Sequence, residues 1–222
     1  MIEALIFDFD GLILDTEVPI FQSYVELYQE FGCELTLQMW ARNLGTHDDD
    51  VLDLYDDLEQ RLGYALDRQA LGRRRLQREL DLVQNQPVLP GVKEYLEEGR
   101  ARGLKMGIAS SSYCRWILQH LERLGLRDYF ESIRTGDEIR PTKPDPGLYR
   151  AVLADFGISP SQAVAFEDSP KGILAARGAG IFTVAVPNDL TRQLDLGQVD
   201  LQLGSLAELP LPELLDLVEA GL

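Results

Sequence analysis

Two carboxylates, Asp8 and Asp10, close the apolar run Ala4-Leu5-Ile6-Phe7, and Gly11 follows directly. Such a run reads as a buried strand, and burying a carboxylate without a partner is costly. Residues i and i+2 of a strand point the same way, so both acids face one site if the chain stays extended to residue 10. Gly11 lets the backbone come close to a ligand there. An EF-hand is excluded, because its loop needs glycine at the sixth position and this one stands at the fourth. On this segment alone, a catalytic pair and an acid that caps the next turn are equally good accounts.

Three further segments carry the same ambiguity. GIASSS sets Ser110, Ser111 and Ser112 after an apolar run, where hydroxyls and backbone N–H groups can hold an anion or simply start a helix. PTKPDP holds Lys143 in a stiff proline loop, in a chain with four lysines against seventeen arginines. AFEDSP ends a run with Glu167 and Asp168, and Pro170 suits a first helical turn. Each has a local structural account. Four of them at four strand ends point instead to one site, beyond the carboxyl ends of a parallel sheet, where ligands of open α/β sheets bind.

The elements that must position these residues follow from the pattern. Residues 2–7 read as a strand. From 17 to 83 the periodicity is helical only: a helix stopping at Gly32, a short one from Thr36 to Arg42, one capped by Thr46, and one over 68–83. Beyond QNQPVLPG (84–91), helices over 92–102, 113–124, 146–156 and 170–179 alternate with strands over 104–109, 132–135, 163–166 and 181–185. Alternation of this kind predicts an α/β fold, a three-layer Rossmann-like core around a parallel sheet. The all-helical stretch interrupts it after the first strand. We therefore expect a core of residues 1–16 and 85–222 with a helical cap inserted over 17–84, the junctions lying near Asp15–Pro19 and Gln84–Gly91.

Composition narrows the function classes. The chain has 222 residues, 45% hydrophobic, enough for one domain plus an insertion. A formal net charge of −16 disfavours nucleic acid and anionic membrane as partners. Cys33 and Cys114 are far apart in no metal-binding spacing, which fits a reduced cytoplasmic protein. No basic leader and no membrane-length apolar run is present.

With all four motifs in this order, the chain resembles the haloacid dehalogenase superfamily, and within it the β-phosphoglucomutase-like phosphatases with a small helical cap. The resemblance rests on DFDGLILDTE, the serine of GIASSS, the lysine of TKPDP and the Glu-Asp of AFEDSP, and covers essentially the whole chain. It implies an Mg²⁺-dependent phosphatase of a small phosphorylated metabolite, a sugar or polyol phosphate. Asp8 would be the nucleophile that forms an aspartyl-phosphate, and Asp10 the general acid and base. Mg²⁺ would sit on Asp8, the Asp10 carbonyl and Asp168, with Glu167 acting through water. Ser110, Ser111, Lys143 and the Gly11 segment would hold the phosphoryl group. Thr16, Glu17, Gly45 and His47 are candidates for substrate and cap contacts. Relatives of other chemistry fit less well. A dehalogenase lacks the acid two positions after the nucleophile, and a phosphonoacetaldehyde hydrolase needs a cap lysine that residues 17–83 do not contain. The alternative within the same fold is a sugar phosphate isomerase. It would place a histidine where Ile20 stands and an arginine in LGTHDDD (44–50), with Arg42 just upstream. A non-catalytic binding protein would not need all four motifs.

Other residues are better explained by structure. His47 is expected as a solvated first-turn residue more than a ligand, His120 as a helix-surface residue, and Arg73-Arg74-Arg75 as a solvated face more than a cation for a second anionic group. The GAG at 178–180 follows a helix, so it reads as a helix stop and not a dinucleotide loop. Cys114 reads as packing. A monomer is the working expectation.

Overall fold

The computed structural model describes residues 1–40 and 52–221. Strand β1 (Ala4–Phe7) leads to four helices, α1 (Glu17–Glu30), α2 (Leu37–Trp40), α3 (Leu54–Leu62) and α4 (Arg68–Gln84). Alternation then begins with α5 (Val92–Ala101), β2 (Lys105–Ser110), α6 (Cys114–Leu124), β3 (Ser132–Thr135) and α7 (Gly147–Phe156). It continues with β4 (Ala163–Glu167), α8 (Pro170–Gly178), β5 (Phe182–Ala185), β6 (Leu201–Gln202) and α9 (Leu211–Ala220).

The strands form one sheet in the order β3-β2-β1-β4-β5-β6, and every neighbouring pair is parallel. Phe7 at the end of β1 stands opposite Ile108 on one side and Phe166 on the other. The chain winds outward from β1 in one direction through β2 and β3, then in the other through β4 to β6. The crevice at the carboxyl end of β1 is therefore the topological switch point, where this class of sheet binds ligands.

Alternation along each strand divides the core. Leu5, Phe7, Ile108, Val164 and Phe166 face a layer built from α5, α6 and α9. Ala4, Ile6, Ala109, Ala163 and Ala165 face α7 and α8. The second face is nearly all alanine, so those helices lie close to the sheet. A Cβ on Gly107 would stand 2.6 Å from Val152 Cγ1. On the first face Phe7 stacks on Phe166 with ring centroids 4.9 Å apart. Truncating a phenylalanine packed this way costs about 3–5 kcal/mol. That packing fixes the strand end from which Asp8 projects.

Helices α1 to α4 share a separate apolar cluster that includes Leu27, Tyr28, Trp40, Leu54 and Leu58, joined by Leu190 from the segment after β5. The two chain segments leading into and out of this helical group run side by side. Leu14 and Val88 form an antiparallel bridge, and Leu89 N donates to Ile13 O at 3.0 Å.

Several boundaries differ from the sequence reading. The helix expected from Thr46 begins at Leu54, because Asp53 caps it by accepting from Tyr55 N and Asp56 N at 2.9 and 3.0 Å. Thr46 itself, with Arg42, Gly45 and His47, lies outside the described residues. β6 and α9 have no counterpart among the elements expected from the sequence. No described helix is long and apolar enough to cross a membrane.

Candidate active site

Asp8 directly follows β1, and its N–H donates to Phe166 O at 3.0 Å, so the parallel ladder runs one residue past the strand. Its carboxylate meets Glu167 and Asp168 from the end of β4. One oxygen from each of these three buried acids lies within 4.8 Å of the others. Lys143 closes the cluster: its Nζ donates to Asp8 Oδ1 at 2.7 Å and to Glu167 Oε1 at 2.6 Å. The lysine side chain is only 4% exposed, and that of Glu167 not at all. Tyr149 O–H also donates to Glu167 Oε1, while Glu167 Oε2 is buried with no hydrogen-bond partner among the described residues.

Charge counting explains the protonation behaviour. Burial pushes the Asp8 carboxyl up to about 7, and the nearby ammonium of Lys143 only partly offsets this. Asp168 is likewise raised, by burial and by repulsion from Asp8 and Glu167. Burial alone would lower Lys143, but the carboxylates of Asp8 and Glu167 hold it above the ordinary lysine range. One ammonium cannot neutralise three buried carboxylates. The group lacks positive charge, and its donors are all hard oxygens, the set that suits a magnesium-like cation. The unpartnered Glu167 Oε2 and the raised Asp8 and Asp168 both fit such an ion.

Asp10, half-buried, is held differently. Its Oδ1 accepts from Thr16 Oγ1 at 2.8 Å and Trp116 Nε1 at 2.9 Å, and its Oδ2 accepts from Ser112 Oγ at 2.6 Å. Trp116 sits on α6 and was not anticipated. Ser112, grouped with the anion-holding serines in the sequence, instead holds Asp10. Ser110 is buried and accepts from Ser112 N at 3.1 Å, and Ser111 Oγ is buried without a partner among the described residues.

Neither Asp168 nor the serines of GIASSS caps a helix. Ser169, not Asp168, caps α8, accepting from Gly172 N at 3.2 Å, with Pro170 next. The serines leave α6 uncapped; Cys114 N donates instead to Asp137 Oδ1 at 3.0 Å. Gly11 is required for two reasons. Its φ is +79°, and a Cβ there would lie 2.3 Å from Asp168 Oδ2. Asn188, after β5, donates from Nδ2 to that same oxygen at 2.7 Å and was also missed in the sequence.

These groups open onto a cavity of about 770 Å³ between the sheet end and the helical group, lined by Asp8, Asp10, Lys143 and Asp168 on one side and Glu17, Ile20, Trp40, Arg75 and Glu79 on the other. Burial pushes the Glu17 carboxyl up to about 8, with Asp10, Asp8, Asp15 and Glu79 adding repulsion. Two expectations are corrected here. Arg75 is not on a solvated face: it pairs with Glu79, and their side chains are 13% and 11% exposed. Arg74 does meet solvent, paired with Glu30. His120 is buried, not on the helix surface. It packs edge-on against Trp116 at 4.3 Å between centroids, and burial lowers its pKa.

The model for haloacid dehalogenase-like hydrolases matches residues 5–186. The chain is 41% identical over 216 residues to the putative phosphatase YhcW of Bacillus subtilis (strain 168), spanning 97% of each. It is 32% identical over 224 residues to the phosphorylated carbohydrates phosphatase of Thermotoga maritima, spanning 98% of each. Among solved structures it resembles the putative beta-phosphoglucomutase from Thermotoga maritima, with a TM-score of 0.77, 28% identity and all of both chains covered. The four motifs, the sheet order and these likenesses agree: the chain belongs to the haloacid dehalogenase-like hydrolases and is an enzyme of the phosphoric monoester hydrolase class.

Proposed function

We propose that the protein hydrolyses the monophosphate ester of a sugar or polyol, with Asp8 as nucleophile and Mg²⁺ as cofactor. The observation that carries this is the convergence of Asp8, Asp168, Glu167 and Lys143 at the switch point, with Asp10 beside them in one cavity. Asp8, the Asp10 carbonyl and Asp168 would hold the ion, with Glu167 acting through water, and the ion would let a carboxylate approach an anionic phosphate. Lys143 keeps Asp8 oriented and offers its ammonium to phosphoryl oxygens, and Ser110, buried at the end of β2, and Ser111 just after it stand where those oxygens would come.

Asp8 then attacks phosphorus, the ester oxygen leaves, and an aspartyl-phosphate remains for water to cleave. Asp10 gives the leaving oxygen its proton and later takes one from the water. Its partners suit that double duty. Trp116 Nε1 can only donate, so it marks Oδ1 as the oxygen that stays unprotonated. The Ser112 hydroxyl can donate or accept, so Oδ2 can lose and regain a proton without losing its partner. The helical group over 17–84 acts as a cap that covers the reaction and excludes bulk water, moving on the paired segments at Leu14 and Val88.

Hydrolysis is favoured over phosphate transfer within one sugar because Ile20, an apolar side chain, lines the cavity at the position where the isomerase pattern wants a histidine. The test is inorganic phosphate release from a panel of phosphorylated sugars and polyols, with Mg²⁺ and with a chelator. We expect metal-dependent release from sugar or polyol monophosphates. Glucose 6-phosphate forming from β-glucose 1-phosphate faster than inorganic phosphate would move the protein to the isomerases.

A further inference from the structure

Arg75 and Glu79 stand one turn apart on α4 and form an ion pair inside the cavity wall. The guanidinium lies 4.3 Å from the centroid of the Tyr24 ring and donates to Ser23 Oγ at 3.2 Å. Its Nε is buried with no hydrogen-bond partner among the described residues. An arginine in a cavity wall, with an unpartnered buried donor and an aromatic face behind it, suits an anion. Glu79 stands in the way of that use, because it already supplies the anion.

We propose that Glu79 sets the charge of the leaving group this enzyme accepts: by neutralising Arg75 it admits uncharged polyol chains and rejects substrates that carry a second anionic group. Rejection of a like charge next to a desolvated carboxylate is a means of selectivity distinct from any attraction to the preferred substrate. The aromatic side chains of Tyr24, Trp40 and Trp116 supply faces for the C–H surfaces of such a chain, and the Glu79 carboxylate accepts from its hydroxyls. This rests on the phosphatase reading above, and names the class of ester within it.

The test compares sorbitol 6-phosphate with 6-phosphogluconate. The two share a six-carbon chain and differ only in a hydroxymethyl group against a carboxylate at the far end. Two readouts are taken with Mg²⁺ present: kcat/KM from phosphate release, and Kd from intrinsic fluorescence in the non-turning Asp8→Asn background. The second works because the chain has two tryptophans, Trp40 and Trp116, and both line the cavity. The wild type should prefer sorbitol 6-phosphate. Glu79→Gln should move the ratio toward 6-phosphogluconate by about tenfold or more, within the range a single pocket contact supplies. Glu79→Asp, which keeps the charge, should keep the wild-type preference, and Arg75→Gln should sharpen it. A ratio that stays put in both Glu79→Gln and Arg75→Gln, a shift in the same direction in both, or a protein that binds neither ligand would overturn the proposal. Shifted Kd ratios without phosphate release would refute the phosphatase reading alone, whereas phosphate release with unmoved ratios would refute the role of Glu79 alone.

Discussion

Lys143 Nζ stands 2.7 Å from Asp8 Oδ1, and the pair is buried at the end of the central strand, facing the cavity. Their closeness ties the proposed nucleophile to the one cation among the described residues that touches the acid cluster. Removing Lys143 leaves Asp8, Glu167 and Asp168 facing one another without compensation. Breaking a buried pair from one side costs about 3–5 kcal/mol. Lys143→Met should lose at least that order of stability in urea unfolding at pH 7, and its activity should fall to background. The stability deficit should shrink as pH falls and the carboxylates take up protons. A variant as stable as the wild type would show that the lysine does not balance the cluster.

The pH response of the metal-free protein follows from the sign of the shifts. Asp8 is pushed from an ordinary 3.8 up to about 7, and Glu17 from an ordinary 4.5 up to about 8. Between those limits the native state keeps protons that the unfolded chain has released, so stability must fall as pH rises through that window. In chelator, the melting temperature should drop by about 4 °C or more between about pH 5 and about pH 8. Mg²⁺ held at the proposed site would take the place of protons on Asp8, so its stabilising effect should be larger at the higher pH. Calorimetry at the two pH values checks both signs, and a melting temperature that rises with pH in chelator would contradict them.

Trp116→Phe keeps an aromatic ring against His120 and removes the fixed donor to Asp10 Oδ1. A hydrogen bond to a charged group is worth about 1.5–3 kcal/mol, or roughly ten- to a hundredfold in rate if it acts fully in the transition state. We expect kcat to fall by that factor with little change in KM. An unchanged kcat would remove Trp116 from the machinery.

Gly11→Ala tests the closeness of the backbone to Asp168. The added Cβ would fall 2.3 Å from Asp168 Oδ2 in a backbone conformation that L side chains rarely adopt. Mg²⁺ affinity, measured by titration calorimetry, should drop by about tenfold or more, as changes beside a metal ligand typically do. Wild-type affinity would show that Asp168 can move aside freely.

Much of this site could be read from the sequence because a buried parallel strand has no polar business of its own. Acids, serines and a proline-held lysine at strand ends therefore stand out against apolar runs, and Asp8, Lys143, Glu167 and Asp168 do converge. Trp116 and Asn188 gave no such contrast: a tryptophan in WILQHLERL reads as core, and an asparagine after β5 as a turn. Other misses had a signal. His120 shares one helix face with Ile117 and Leu124, three residues before and four after it, which marks it as inward-facing. Arg75 lies on the same stripe as the buried Glu79 and Val83, at i, i+4 and i+8. Ahead of α3 the run THDDDVLD offers several capping residues, and nothing local chooses Asp53. The two-residue β6 is too short for any periodicity, whereas α9 follows Pro210 with the helical spacing Leu211, Leu214, Leu215, Val218 and was legible.

The central claim is that the Asp8 carboxylate itself receives the phosphoryl group. Rapid acid quench of the working enzyme with a sugar or polyol monophosphate, followed by peptide mass mapping, tests it directly. The account predicts one phosphoryl group on the peptide containing Asp8, absent in Asp8→Asn, whose turnover falls by at least about a thousandfold while its circular dichroism is unchanged. A phosphoryl group on another residue, or wild-type turnover by Asp8→Asn, would contradict it.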